Sequence, residues 1–185
     1  MRTKTGNNQT RLELYAACII ICLFQTACGR HSSDAELLRV FRRHEASFHD
    51  LLKMVQSDTQ IVTMTPSVLI TRTKRLQAEN PDISDIRSAG LSKERWMRYQ
   101  TLFRNLGLKG GVLRGDGGSF CFKADTESVW NGDTSKGYVY SDATVEPRVP
   151  DLDRYRPLGD TVGRHRPYIA YRQIEPHWYL YFCRN

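Results

Sequence analysis

No apolar run in this chain approaches the roughly 20 residues that a helix needs to cross a bilayer core. The longest, Leu14–Phe24, spans eleven residues between Glu13 and Gln25, which argues against a membrane-spanning helix. Internal repeats and low-complexity tracts are absent, so the chain does not read as a repeat array or a disordered linker. Catalytic signatures are missing as well. No Gly-x-Ser-x-Gly elbow occurs. The nearest pair of histidines, His44 and His49, lies five positions apart, about 140° around a helix, whereas a helical zinc motif needs an i, i+4 pair on one face. Gly107–Gly118 is rich in glycine but follows a helical pattern and enters a hairpin. A phosphate-cradling loop leaves a strand and opens a helix. Arg114-Gly115-Asp116 spells an adhesion tripeptide, but at that hairpin it reads as part of a turn.

What is present begins at the first residues. Arg2, Lys4 and Arg11 precede the apolar run, and Gln25-Thr26-Ala27-Cys28 follows it. This is the basic, apolar, small-residue order of an export signal. Thr26-Ala27-Cys28 resembles a bacterial lipoprotein signal, in which small residues precede a cysteine that is lipidated and becomes the new N-terminus. Gln25 departs from that pattern, which has an aliphatic residue there. The resemblance implies lipidation of Cys28, and Gly29 after it implies the outer membrane, facing the periplasm. Three alternatives stay open: cleavage after Ala27 or after Gly29, releasing a soluble periplasmic protein, and an uncleaved signal anchor. Several acyl chains on one cysteine anchor a protein stably, where a single chain holds it only marginally.

Removing residues 1–27 takes away Arg2, Lys4, Arg11 and Glu13, leaving 158 residues with a formal charge of +5. That length suits one domain. The basic balance suits an anionic neighbour such as lipid headgroups, lipopolysaccharide or cell-wall polymer. Nucleic acid is not an expected partner of an exported chain.

The expected division is a signal peptide over 1–27, a tether over 28–33 and a single α+β domain over 34–185. Ser33-Asp34-Ala35-Glu36 has capping-box spacing. Leu37, Phe41, His44, Phe48, Leu51 and Val55 then recur at steps of four and three, predicting one amphipathic helix to about Ser57. The tether then extends roughly 20 Å at most. Residues 61–73 read as short extended pieces broken by Pro66, and 74–91 as a loop with a helical turn. Ser92 caps a second helix with Trp96, Tyr99, Leu102, Phe103 and Leu106 on one face, Lys93, Arg98 and Arg104 on the other, and Gly107 as its stop. The period then changes to two. Gly111–Arg114 and Ser119–Ala124 flank a turn, Lys136–Ser141 is a third strand, and Asp142–Pro167 is a loop. Tyr168–Ile174 and Trp178–Cys183 form a terminal hairpin. The predicted fold is thus α+β, with two amphipathic helices on one face of a small, mostly antiparallel sheet.

Leu51–Asp58, then Leu91-Ser92-x-Glu94-Arg95-Trp96-x-x-Tyr99-x-x-Leu102-Phe103, then Lys136-Gly137-Tyr138-x-Tyr140-Ser141, then Trp178-Tyr179-Leu180-Tyr181 resemble a group of small bacterial lipoproteins of unknown function. The resemblance spans most of the mature chain. It supports location and fold and brings no catalytic residues.

Three sets of residues remain as candidates. With Cys18 and Cys22 inside the signal and Cys28 lipidated, Cys121 and Cys183 are the thiols left. In an oxidising compartment they form a disulfide or stand as two buried apolar residues. Residues 148–172 hold six arginines against three aspartates. Arg148, Arg154, Arg156, Arg164 and Arg166 form a candidate anion-binding surface with the basic face of the 92–106 helix, the competing reading being a solvated loop. His165 or His177 with Asp151 or Asp153 would make a hydrolase site if they converged. The leading expectation is an envelope-anchored, non-enzymatic binding or accessory module for a protein partner or an anionic envelope component. No cofactor or metal ion is called for, and the hydrolase is the alternative.

Overall fold

Period-two segments in the second half of the chain build most of the sheet. The computed structural model describes residues 31–72, 75–76, 81–129, 132–155 and 168–184. The strands are β1 (Ile61–Met64), β2 (Leu69–Thr71), β3 (Arg75–Leu76), β4 (Gly111–Arg114), β5 (Phe120–Val129), β6 (Gly132–Tyr140), β7 (Tyr168–Glu175) and β8 (Trp178–Arg184). They form one sheet of order β3-β2-β1-β4-β5-β6-β8-β7, with every neighbouring pair antiparallel. The helices are α1 (Asp34–Arg43), α2 (Glu45–Ser57), α3 (Ile83–Ser88) and α4 (Lys93–Leu106). The fold is α+β, and His31–Asn185 forms one compact unit.

The alternation along β5, β6 and β8 decides where the core lies. Phe120, Phe122, Tyr138, Trp178 and Leu180 join the apolar stripes of all four helices in one cluster. Cys121, Val139, Tyr179, Tyr181 and Cys183 point the other way and form a second, smaller cluster with Ile169, Tyr171 and Val145. The aromatic rings of Phe41, Phe48, Phe122, Tyr138 and Trp178 pack together, the Phe48 and Tyr138 centroids being 4.5 Å apart.

The single helix expected from Ser33 to Ser57 is broken at His44, whose backbone (φ −124°, ψ 25°) leaves the helical region. The apolar stripe continues across the break, so periodicity alone does not reveal it. Tertiary contacts pull the halves in different directions. Tyr138 donates its hydroxyl to the Leu37 carbonyl at the start of α1, while Asp50 and Asp58 of the α2 region face Arg98 and Arg95 of α4. Ser33 accepts from the Glu36 N–H as its spacing predicts. Ser92 caps α4, and Gly107 ends it in the left-handed region at φ 67°. Gly111 also has φ 67°, and a Cβ there would stand 2.0 Å from the Met64 carbonyl oxygen, so only glycine lets β4 lie this close to β1. The β5–β6 hairpin is longer than expected, because pairing continues through the polar residues 125–128 and 133–136, which carry no apolar alternation.

Phe48 is fully buried against four other aromatic rings. Phe48→Ala is therefore expected to lower the unfolding free energy by about 3–5 kcal/mol, read from the denaturant midpoint at unchanged slope.

Candidate functional site

The chain enters its folded unit through a clasp of charged groups. Lys136 follows the same parity on β6 as Tyr138 and Tyr140, so its side chain faces the helix-covered core. A buried ammonium requires partners, and Asp34 and Asp153 supply them. Lys136 Nζ lies 2.7 Å from Asp34 Oδ1, each side chain being 3% exposed, and it also pairs with Asp153. Asp34 Oδ2 accepts from the Leu152 N–H and from Arg172, at 2.9 and 3.0 Å. Asp153 in turn accepts from the Asp34 N–H at 2.9 Å. Two acids and two bases thus join the start of α1, the 151–154 turn, β6 and β7.

The residues just before α1 are held too. Ser32 donates its N–H to Asp125 Oδ2 at 2.7 Å, and Lys109 bonds to Asp125 Oδ1 at 3.0 Å. His31 Nε2 lies 2.8 Å from the Thr134 hydroxyl and 3.8 Å from Glu127, with its ring edge-on to Phe182. His31 and Ser32, which fall in the expected tether, are thus bonded to the sheet. Burial alone would raise the Asp125 carboxyl, but the Ser32 N–H and Lys109 outweigh it and hold it below the usual range. Asp153 behaves likewise: burial is outweighed by Lys136, the Asp34 N–H and Arg172.

The other residues singled out above fall in separate places. Cys28, Arg156, Arg164, His165, Arg166 and the 1–27 segment lie outside the described residues. Arg148 already pairs with Glu146, and Arg154 with Asp151. His177 sits in the β7–β8 turn, where its Nδ1 is 3.2 Å from the Ser141 carbonyl. Asp153 is at Lys136, five residues along β6 from Ser141, a separation of about 16 Å. The structure does not bring His177 together with Asp153. Cys121 on β5 and Cys183 on β8 share the second cluster but are not joined. β6 runs between their strands, and two strand spacings put their Cα atoms at least about 9.6 Å apart. A disulfide tolerates about 7 Å. Burial pushes the Cys121 thiol up to about 11 and raises Cys183 as well, which suits unreactive thiols.

Arg114 of the adhesion-like tripeptide points inward. It donates to the carbonyls of Ile61, Val55 and Asp58 and stacks over Phe120 at 4.8 Å. Alongside it, Tyr99 donates to Asp58 at 2.6 Å, and Arg95 bonds to the same carboxylate at 2.9 Å. These groups fasten the end of α2 to α4 and the sheet.

A cleft of about 450 Å³ opens at the end of α4, lined by Pro66, Gln100, Phe103, Arg104, Leu108 and Lys109. Arg104 is exposed, as predicted for the polar face of this helix. Gln100 Nε2 is buried without a protein partner. Lys109 connects the cleft to Asp125, and hence to the Ser32 N–H of the clasp. An apolar floor with two cations at its rim suits an anionic group carried on an apolar body. Sequence reasoning missed the clasp, although Lys136 at a core-facing parity was a readable sign of it. No protein-family model, curated protein or solved structure matches this chain.

Asp34→Ala is expected to cost about 3–5 kcal/mol of stability, because it leaves Lys136 and Arg172 facing a missing carboxylate. Chemical denaturation measures the loss. Asp125 and Asp153 bind fewer protons folded than unfolded. Their contribution is therefore complete above the unfolded carboxylate range, near about pH 4, and is lost as the pH falls from there through their lowered folded values. A thermal-unfolding series against pH should drop below that point, and drop less steeply in Asp125→Asn.

Proposed function

We propose that this chain is a bacterial envelope lipoprotein, anchored through Cys28 and acting as a non-enzymatic binding or accessory module for an anionic envelope component. The observation that carries this reading is the position of the clasp. With His31 and Ser32 already bonded to the sheet, only three peptide steps separate Cys28 from the folded body, about 10 Å when fully extended. That is half the reach expected from the sequence. A lipid on Cys28 would hold the clasp end of the domain against the headgroups.

The cleft rimmed by Arg104 and Lys109 supports the second half of the proposal. Lys109 bonds to the carboxylate that also holds Ser32, four residues after Cys28 in the chain. Cations near an anionic leaflet contribute about 1 kcal/mol each. The outer membrane, facing the periplasm, is the proposed location, following the residue after Cys28.

Cys28→Ser tests the anchor. The parent should partition with membranes and lack residues 1–27 while carrying added acyl mass, and the variant should lose the acyl mass and the partitioning. Equal processing, mass and partitioning in both would sink the proposal. For the binding surface, acylated parent and Arg104→Glu are compared for capture of soluble lipopolysaccharide fragments in detergent. About a fivefold or greater loss is expected from one reversed charge of this magnitude, and no loss removes Arg104 from the surface.

A further inference from the structure

The turn of the β7–β8 hairpin brings a carboxylate to the first turns of α2. Glu45 and His49 are four residues apart in that helix, on one face, and Glu45 Oε1 lies 3.9 Å from His49 Nε2. Glu175 at the end of β7 completes a trio whose ligand atoms all lie within 4.8 Å of one another. We propose that Glu45, His49 and Glu175 bind a divalent transition-metal ion of the zinc class, with a position left open to solvent.

Each residue is placed by a separate feature of the fold. The break at His44 makes Glu45 the first residue of α2. The His49 ring stands edge-on to the buried Trp178, with centroids 5.7 Å apart and an interplanar angle of 87°, which limits its rotation. Glu175 is placed by an irregularity in the β7–β8 register between Gln173 and Glu175, which sets it opposite Trp178. Such bulges re-aim a side chain that strict alternation would send elsewhere. Trp178 is thus the common seat of the histidine and the second glutamate.

The electrostatics favour a cation. Two carboxylates face each other across the site, and among the described residues no lysine or arginine forms an ion pair with either. The contrast with the other acidic group is informative. Asp34, Asp151 and Asp153 also converge, but the Lys136 ammonium and Arg172 already neutralise that cluster. At Glu45, His49 and Glu175 no such internal cation is supplied. Metal–oxygen and metal–nitrogen bonds of about 2.0–2.2 Å require these ligand atoms to close by about an ångström, within the reach of two flexible glutamates. One imidazole with two carboxylates suits zinc and its neighbours rather than calcium, which prefers six or more oxygens. Three protein ligands leave a fourth position for water.

The test uses the full chain, purified in detergent without a histidine tag and stripped with a chelator. Added Zn²⁺ should raise the unfolding temperature, with one site by calorimetric titration, and Co²⁺ should give visible ligand-field absorption. Glu175→Gln, at the hairpin turn, should keep the metal-free unfolding temperature and lower zinc affinity at least tenfold. His49→Gln should do the same and abolish the Co²⁺ spectrum. His177→Asn should leave binding unchanged. Absence of a one-site zinc titration in the parent, or equal affinity in Glu175→Gln and His49→Gln, overturns the proposal. Neither outcome touches the anchor reading, whose test uses Cys28 alone.

Discussion

A lysine turned into an apolar core governs how this chain begins. Lys136 occupies a position on β6 where alternation demands an apolar side chain, and an unpartnered ammonium there is very unfavourable. The start of α1 provides Asp34, and the 151–154 turn provides Asp153. Arg172 then pairs with the other carboxylate oxygen of Asp34. Four segments distant in sequence are thereby fixed to one point. Buried ion pairs contribute little net stability against well-packed apolar substitutes, but losing one partner is costly. The network is better understood as specifying where the start of α1 must dock than as a source of stability.

Much of the architecture was legible because burial imposes simple periods. Trp178, Leu180 and Phe182 alternate with Tyr179, Tyr181 and Cys183 as the sequence predicts, and the two sets separate into two clusters. Ser92 and Gly107 bound α4 through local backbone chemistry that needs no tertiary partner. The break at His44 was not legible, since the apolar stripe runs through it and its cause lies in contacts with Tyr138 and α4. The outer part of the β5–β6 hairpin was hidden for the opposite reason: residues 125–128 and 133–136 are polar, so pairing rather than an apolar pattern extends it. The separation of Cys121 from Cys183 by β6 is a matter of strand order, which spacing along the chain does not encode. The same holds for Glu175, whose approach to His49 depends on a register shift across the hairpin.

The two faces of the sheet differ in kind. The helix-covered face is dense with aromatic rings, and its charged exceptions are paired. The other face carries three tyrosines: burial raises the hydroxyls of Tyr171 and Tyr181 above the usual range, and Tyr179 is buried. Two thiols flank them. Tyr181 donates to the Ser135 hydroxyl, so the polar end of that ring is satisfied within the sheet itself.

The stretch after β6 has one more effect. Arg148 bridges Tyr171 in parallel, the Val149 N–H donates to the Tyr171 carbonyl, and the Tyr171 N–H donates to the Pro147 carbonyl. The outer rim of β7 is thereby capped at Tyr171 by the chain's own backbone. An unprotected rim invites a stranger's backbone to zip alongside, the first step toward fibrous association. Crowded copies of this molecule meet a blocked position at Tyr171 on that flank, and strand-by-strand growth past it must first peel away the 147–149 segment.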